Sequence, residues 1–214
     1  MNASFHSAKL ERWIVPSYLS LSTLKSLQNK FSRQQPFPYL ALPDFFLPER
    51  ATALFHALSA EQFLPQEADL FKFKQTADCA SSTNKTLLEF HEFLRSPEFV
   101  SYVSFLTFTM LKPNVIDLSA TRYEDTDFLL CHDDQLEGRK IAYFYYLSSL
   151  KKNDGGNLNL FAVEQGKPAA IAASIIPTFN TFAFFLVSEK SFHEVEEVIR
   201  DVQRIAMSGW FHDQ

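Results

Sequence analysis

Only two cysteines, Cys79 and Cys131, occur in the 214 residues, and Cys131 lies inside an apolar run. Two thiols cannot build a disulfide framework, so both are expected to be reduced, as in a cytosolic protein. No apolar run approaches the ~18 to 20 residues that span a bilayer. The start, Met1-Asn2-Ala3-Ser4-Phe5-His6, lacks the charged-then-apolar pattern of a signal peptide. The expectation is a soluble cytoplasmic protein, or a nuclear one in a eukaryote, with no membrane partner. Basic charge is short as well: 20 Lys and Arg stand against 25 Asp and Glu, a net charge of −5. That balance has no electrostatic footprint for nucleic acid, while an acidic surface still accepts a basic protein substrate. Glycine is scarce at 5, against 23 phenylalanines, which excludes disorder and calls for a thick core.

The first half reads mainly as helix. Tyr18, Leu19, Leu21, Leu24 and Leu27 predict a helix within Ser17 to Gln28. Pro36 to Phe46 reads as extended, and Pro48-Glu49 opens a helix carrying Leu54 and Leu58. Ser96-Pro97-Glu98 combines a cap hydroxyl, proline at the first helical position and an acid in the first turn. Phe99, Val100, Val103, Leu106 and Met110 extend that helix, with Pro113 as its stop.

From about Asp117 the pattern turns to strand. Ile141 to Leu147 and Thr181 to Val187 are apolar on both faces, as doubly buried strands are. Leu158 and Leu160 alternate with Asn157 and Asn159 behind the turn Asn153-Asp154-Gly155-Gly156. Helices followed by short strands predict a mainly β fold with flanking α: a jelly-roll (double-stranded β-helix) core packed against N-terminal helices. With no repeat or linker visible, residues 1 to 214 read as one domain, helical to about residue 112 and jelly roll from about 113. The polar stretch Glu67 to Lys85 reads either as a mobile loop closing over a substrate or as a plain surface loop.

The chemistry concentrates in His132, Asp134 and His193. His132 and Asp134 share strand parity if the strand Phe128 to Cys131 continues that far. His193 follows one predicted strand and precedes another, Ile205 to Phe211. Strand ends distant in sequence meet in one mouth of a jelly roll. Two imidazoles and one carboxylate on one face of an octahedral ion leave three positions open, the donor set of non-haem Fe(II) oxygenases. Arg204 lies between Val202 and Ile205, where an unpaired guanidinium is costly to bury. It calls for an anion, either a small carboxylate or a protein acid such as Glu194. Tyr123 and Tyr146 are candidates to hydrogen-bond the same anion or, alternatively, packing residues. Arg139 and Asp133 are candidates for contacting substrate, a solvated surface role being the alternative. Tyr143, Phe144, Phe184 and Phe185 read as walls of a dry cavity or as core.

The text around these residues resembles the prolyl-hydroxylase group of 2-oxoglutarate/Fe(II)-dependent oxygenases, and within it the ribosomal prolyl hydroxylases. The resemblance runs from about Phe37 onward. It is carried by Asp69-Leu70-Phe71-Lys72-Phe73, Tyr123-Glu124, Leu130-Cys131-His132-Asp133-Asp134-Gln135-Leu136-Glu137-Gly138-Arg139 and Gly155-Gly156. Ile176-Pro177, Ser191-Phe192-His193-Glu194-Val195, Arg204 and Ser208-Gly209-Trp210-Phe211-His212 continue it. It implies Fe(II) on His132, Asp134 and His193, and 2-oxoglutarate paired with Arg204 and assisted by Tyr123 and Tyr146. It further implies O2 as oxidant, ascorbate as reductant, succinate and CO2 as co-products, and hydroxylation of a proline in a small-subunit ribosomal protein. Eukaryotic members of that branch carry a second jelly roll after the Gly-Trp-Phe-His segment, whereas this sequence stops at Gln214 and reads as a single-domain relative or a catalytic domain. Two other readings stay open: an oxygenase of another protein, nucleic acid or small molecule, and a non-catalytic metal- or ligand-binding jelly roll.

Overall fold

The computed structural model describes residues 7 to 213. Helices α1 (Ala8–Glu11) and α2 (Leu21–Arg33), strand β1 (Tyr39–Leu42) and helix α3 (Pro48–Leu58) come first. A hairpin, β2 (Leu64–Ala68) and β3 (Phe71–Gln75), precedes helices α4 (Lys85–Leu94) and α5 (Pro97–Thr107). Strands β4 (Leu111–Ile116), β5 (Ser119–Tyr123), β6 (Phe128–His132) and β7 (Arg139–Tyr146) follow. The last five are β8 (Leu158–Glu164), β9 (Lys167–Ile175), β10 (Thr181–Leu186), β11 (His193–Val195) and β12 (Arg204–Asp213).

Local chemistry sets the helix starts. Ser20 and Ser96 cap α2 and α5 by accepting from the N–H groups of Thr23 and Phe99, and Pro48 occupies the first turn of α3. The helix expected within Ser17 to Gln28 begins instead at Leu21 and runs to Arg33, because Pro16 first opens a single tight turn. Helix α5 stops at Thr107, where Phe108 turns left-handed at φ 54°, and leaves Met110 73% exposed. Pro113 therefore does not end the helix; it lies in β4, which pairs only with β12, where a missing N–H is tolerated.

The strands curl into the predicted jelly roll, in the order β1-β10-β7-β12-β5-β3-β6-β11-β8-β9, with β2 added to β3 and β4 to β12. Register explains why two strands read as apolar on both faces. Along β7 and β10, Ala142, Tyr146, Ala183 and Phe185 point into the barrel, while Ile141, Tyr143, Tyr145, Phe182 and Phe184 meet the helices. Phe46, fully buried ahead of α3, is the hub of that helix-facing core. Its ring meets Trp13, Phe45, Phe90, Phe93, Phe99, Tyr145 and Phe182. Asn180, at the entry to β10, accepts from Tyr145 and from the Phe46 N–H and donates to the Phe46 carbonyl. One side chain thereby joins the helical layer to the sheet.

The stretch Glu67 to Lys85 is not a loop over most of its length. Strand β3 joins β5 to β6, and Cys79 beyond it is buried, with its N–H bonded to the Leu118 carbonyl. Phe71 and Phe73 alternate with Lys72 and Lys74, a strand period that the polarity of the segment conceals. Three strands thus precede residue 112, so the N-terminal part contributes to the sheet as well as to the helical layer.

Truncating the hub tests this packing. Phe46→Ala is expected to cost about 3–5 kcal/mol of stability, measured by denaturant unfolding; a loss below about 1 kcal/mol would contradict the arrangement.

Candidate metal centre

His132 ends β6 and His193 opens β11, and the two stand opposite one another in register, with ring centroids 4.2 Å apart. Asp134 reaches them differently from the expectation. The strand stops at His132, and Asp134 adopts φ 62°, so a left-handed kink, not strand parity, turns its carboxylate inward. Its Oδ1 lies 3.4 Å from His132 Nε2 and its Oδ2 3.5 Å from His193 Nε2. One ligand atom from each residue falls within 4.8 Å of the others, so the three could hold an ion. Both imidazoles are oriented from behind: Nδ1 of His132 and of His193 each lies 2.8 Å from a backbone carbonyl, of Leu130 and Ser191. With Nδ1 donating, Nε2 presents its lone pair to the site, the arrangement metal-binding histidines use.

Charge follows geometry. Burial, and then the neighbouring His132, push His193 down to about 4, so it is a neutral ligand near pH 7. Burial also works against protonation of His132, but the adjacent Asp134 prevails and raises its pKa. Burial likewise opposes the charge of Asp134, and the two histidines outweigh it and keep the carboxyl ionised.

Arg204 opens β12 and is 0% exposed. Its Nε donates to the Gly156 carbonyl at 2.8 Å, and its guanidinium carbon sits 5.0 Å from the Tyr123 ring centroid and 5.2 Å from that of Tyr146. No carboxylate among the described residues pairs with it. Glu194, the protein acid considered above, instead accepts from Asn159 at 2.9 Å. Arg204 Nη2 and the Tyr146 hydroxyl are both buried without a hydrogen-bond partner. Burial raises the pKa of Tyr123 and Tyr146 against the pull of the Arg204 charge, so both phenols remain neutral donors.

His132, Asp134, His193, Arg204 and Tyr123 line one cavity of about 120 Å³, walled by Phe73, Leu129, Phe144 and Trp210. The expected aromatic walls divide: Phe144 and Phe185 face His193, with centroids at 6.5 and 4.6 Å, Tyr143 borders the cavity while its ring packs in the helix-facing core, and Phe184 lies in that core alone. Asp133 closes a local turn, its Oδ1 accepting from the Gln135 N–H and its carbonyl from Ser191 Oγ. Arg139 stacks over Trp210 beside Asp134. Trp210 was passed over as a site residue although its place is readable, since Ser208 and Trp210 share the parity of Arg204 along β12.

A buried, unanswered cation beside a two-histidine, one-carboxylate donor set fits an iron site with a dicarboxylate co-substrate. Residues 118 to 212 match the family model described as the 2OG-Fe(II) oxygenase superfamily. The matched segment belongs to that superfamily. A Xenopus laevis protein named prolyl 3-hydroxylase OGFOD1 is 37% identical over 83% of the chain and 35% of its own length. The Mus musculus protein of that name is 36% identical over 83% of the chain and 33% of its own length. The chain thus spans about a third of the curated relatives it matches. Among solved structures, a Pseudomonas putida prolyl-4-hydroxylase superposes with TM-score 0.69 at 16% identity, over 88% of this chain and 99% of its own. A Trichoplax adhaerens prolyl hydroxylase, solved with a hypoxia-inducible-factor peptide fragment, gives TM-score 0.67 at 17% identity, over 90% of this chain and 92% of its own. These likenesses confirm the fold.

Two outcomes follow from the geometry. Gly156 has φ 72°, and a Cβ there would lie 3.3 Å from Arg204 Cδ and 2.8 Å from Leu150 Cδ2. Gly156→Ala should therefore displace the guanidinium and raise the 2-oxoglutarate requirement by about 10- to 100-fold in a co-substrate titration; an unchanged requirement would refute the positioning. Protonation of His132 competes with a metal ion, and its protonated fraction grows as pH falls through its raised pKa. Metal affinity should thus fall as pH drops through that raised pKa, where binding an ion releases up to one proton from His132; calorimetry in two buffers measures both.

Proposed function

We propose that the protein is a 2-oxoglutarate-dependent protein prolyl hydroxylase, with His132, Asp134 and His193 holding Fe(II) and Arg204 holding the far carboxylate of 2-oxoglutarate. The observation that carries this reading is the fully buried Arg204 guanidinium, which no acid among the described residues answers, in the same cavity as the three ligands. When bound, Fe(II) and 2-oxoglutarate supply the oxidising power for O2 to hydroxylate a C–H bond, with succinate and CO2 as co-products and ascorbate keeping the iron reduced.

The residues of the chain bind, orient and exclude water. Arg204 is locked through Nε by the Gly156 carbonyl, so its remaining N–H groups are free for a carboxylate, and the phenols of Tyr123 and Tyr146 stand beside it as donors. His132, Asp134 and His193 would hold the ion from one side and leave it room for the co-substrate and O2. Phe73, Leu129 and Phe144 make the cavity wall apolar and keep bulk water from the reacting carbon.

Proline as the target is supported by relatives that share more than a third of their aligned residues with this chain and are named prolyl hydroxylases. The resemblance of the His132 and His193 segments to the ribosomal branch points to a proline in the small-subunit protein at the decoding centre. A ligand-binding jelly roll without catalysis is disfavoured, since it has no use for an ion with open positions beside a buried anion site.

Purified protein with Fe(II), ascorbate and 2-oxoglutarate should release succinate slowly on its own and faster with the ribosomal peptide. His132→Ala should abolish both rates. Mass spectrometry should find +16 Da on proline, the mass of one added oxygen atom. Succinate release without a modified proline would retain the oxygenase and reject this substrate; no release under any condition would reject the enzyme.

A further inference from the structure

Asp134 is the least supported ligand by backbone and the most supported by side chains. It sits two residues beyond the last residue of β6, at φ 62°, so no strand fixes where its carboxylate points. Two neighbours do. Trp210 Nε1 donates to its Oδ2 at 3.0 Å, and Arg139 Nη1 lies 3.7 Å from its Oδ1. The two neighbours also fix one another: the guanidinium carbon of Arg139 is 3.4 Å from the Trp210 ring centroid, face to face. Trp210 comes from β12 and Arg139 from the start of β7, adjacent strands whose register places Trp210 opposite Ala142 and His212 opposite Arg139.

The two contacts differ in what a divalent ion would do to them. The indole N–H is neutral and bonds one carboxylate oxygen, leaving the other oxygen and the ligand geometry intact when metal arrives. The guanidinium carries a full charge beside the oxygen nearer His132, so it neutralises Asp134 only while no metal does. Arg139 is about one-fifth exposed, at the rim, where water can take it up once it leaves the carboxylate.

We propose that Trp210 and Arg139 act on Asp134 in opposite senses: the indole N–H is a positioning group that holds the carboxylate as a ligand, and the guanidinium is a place-holding cation that a divalent metal displaces. This rests on the metal-centre reading above. Neither residue touches the reacting atoms, so both act through Asp134.

The test is Co(II) binding to metal-free protein without co-substrate, followed by visible absorbance, with thermal melting of each metal-free variant alongside. Trp210→Phe keeps the ring under Arg139 and removes the N–H; Co(II) should bind about 10-fold or more weakly, with altered ligand-field bands. Arg139→Met keeps a stem over the indole and removes the charge; Co(II) should bind on the order of threefold or more tightly. Opposite shifts support the proposal, because general loosening of the site would weaken binding in both variants. Weaker binding in Arg139→Met, or unchanged binding in Trp210→Phe, overturns it. The Arg139→Met sign decides the matter even where Trp210→Phe loses its fold. A wild-type protein that fails to bind Co(II) rejects the metal-centre reading itself, an outcome distinct from the other two.

Discussion

A guanidinium with no accessible surface, and no carboxylate beside it among the described residues, is the constraint around which this site is organised. An isolated buried charge costs several kcal/mol after relaxation. Here the cost is reduced only by one backbone carbonyl and two tyrosine rings. The fold therefore stores an unmet demand for an anion in the wall of a small cavity. Burial keeps Tyr123 and Tyr146 protonated against the pull of the Arg204 charge, so both phenols stand beside it as neutral donors.

Holding such a charge in place needs a stiff frame. The aromatic layer between α3, α4, α5 and the outer faces of β7 and β10 provides it, centred on Phe46 and tied to the sheet by Asn180. Because β7, β10 and β12 pair along most of their lengths, the inward-facing Phe144, Tyr146, Phe185 and Arg204 take their positions from strands whose other faces are already packed. The opposite wall is thinner. Strand β11 has only three residues, yet it carries His193 and is gripped on both sides, by β6 and by β8. The two histidines thus hang from short, paired strands, and Arg204 and Tyr146 from long ones.

Much of this was legible in the residues because it rests on local chemistry. Proline and serine at helix starts, doubly apolar strands and the Gly155-Gly156 turn each leave a direct mark on the sequence. Arg204 was legible for the opposite reason, as a charge in a position that punishes charge. What escaped depended on tertiary context. The left-handed turn at Asp134 replaces strand parity, and nothing local demands it of an aspartate. The β2–β3 hairpin was hidden because lysines alternate with its phenylalanines and raise the polarity of the whole stretch. The role of Trp210 left no mark, since its hydrogen bond to Asp134 joins residues that only the barrel brings together.

The central claim, that Arg204 is buried in waiting for a carboxylate, is tested most directly by the stability of Arg204→Met against wild type with and without 2-oxoglutarate. Mn(II) is present throughout, so that the co-substrate is bound but not consumed. Removing a buried unpaired charge should leave the ligand-free variant as stable as wild type or more so. Saturating 2-oxoglutarate should stabilise wild type by about 2–3 kcal/mol at a hundredfold excess over its dissociation constant, and the variant hardly at all. A variant that is markedly less stable without ligand, yet gains as much from 2-oxoglutarate as wild type does, would contradict the account.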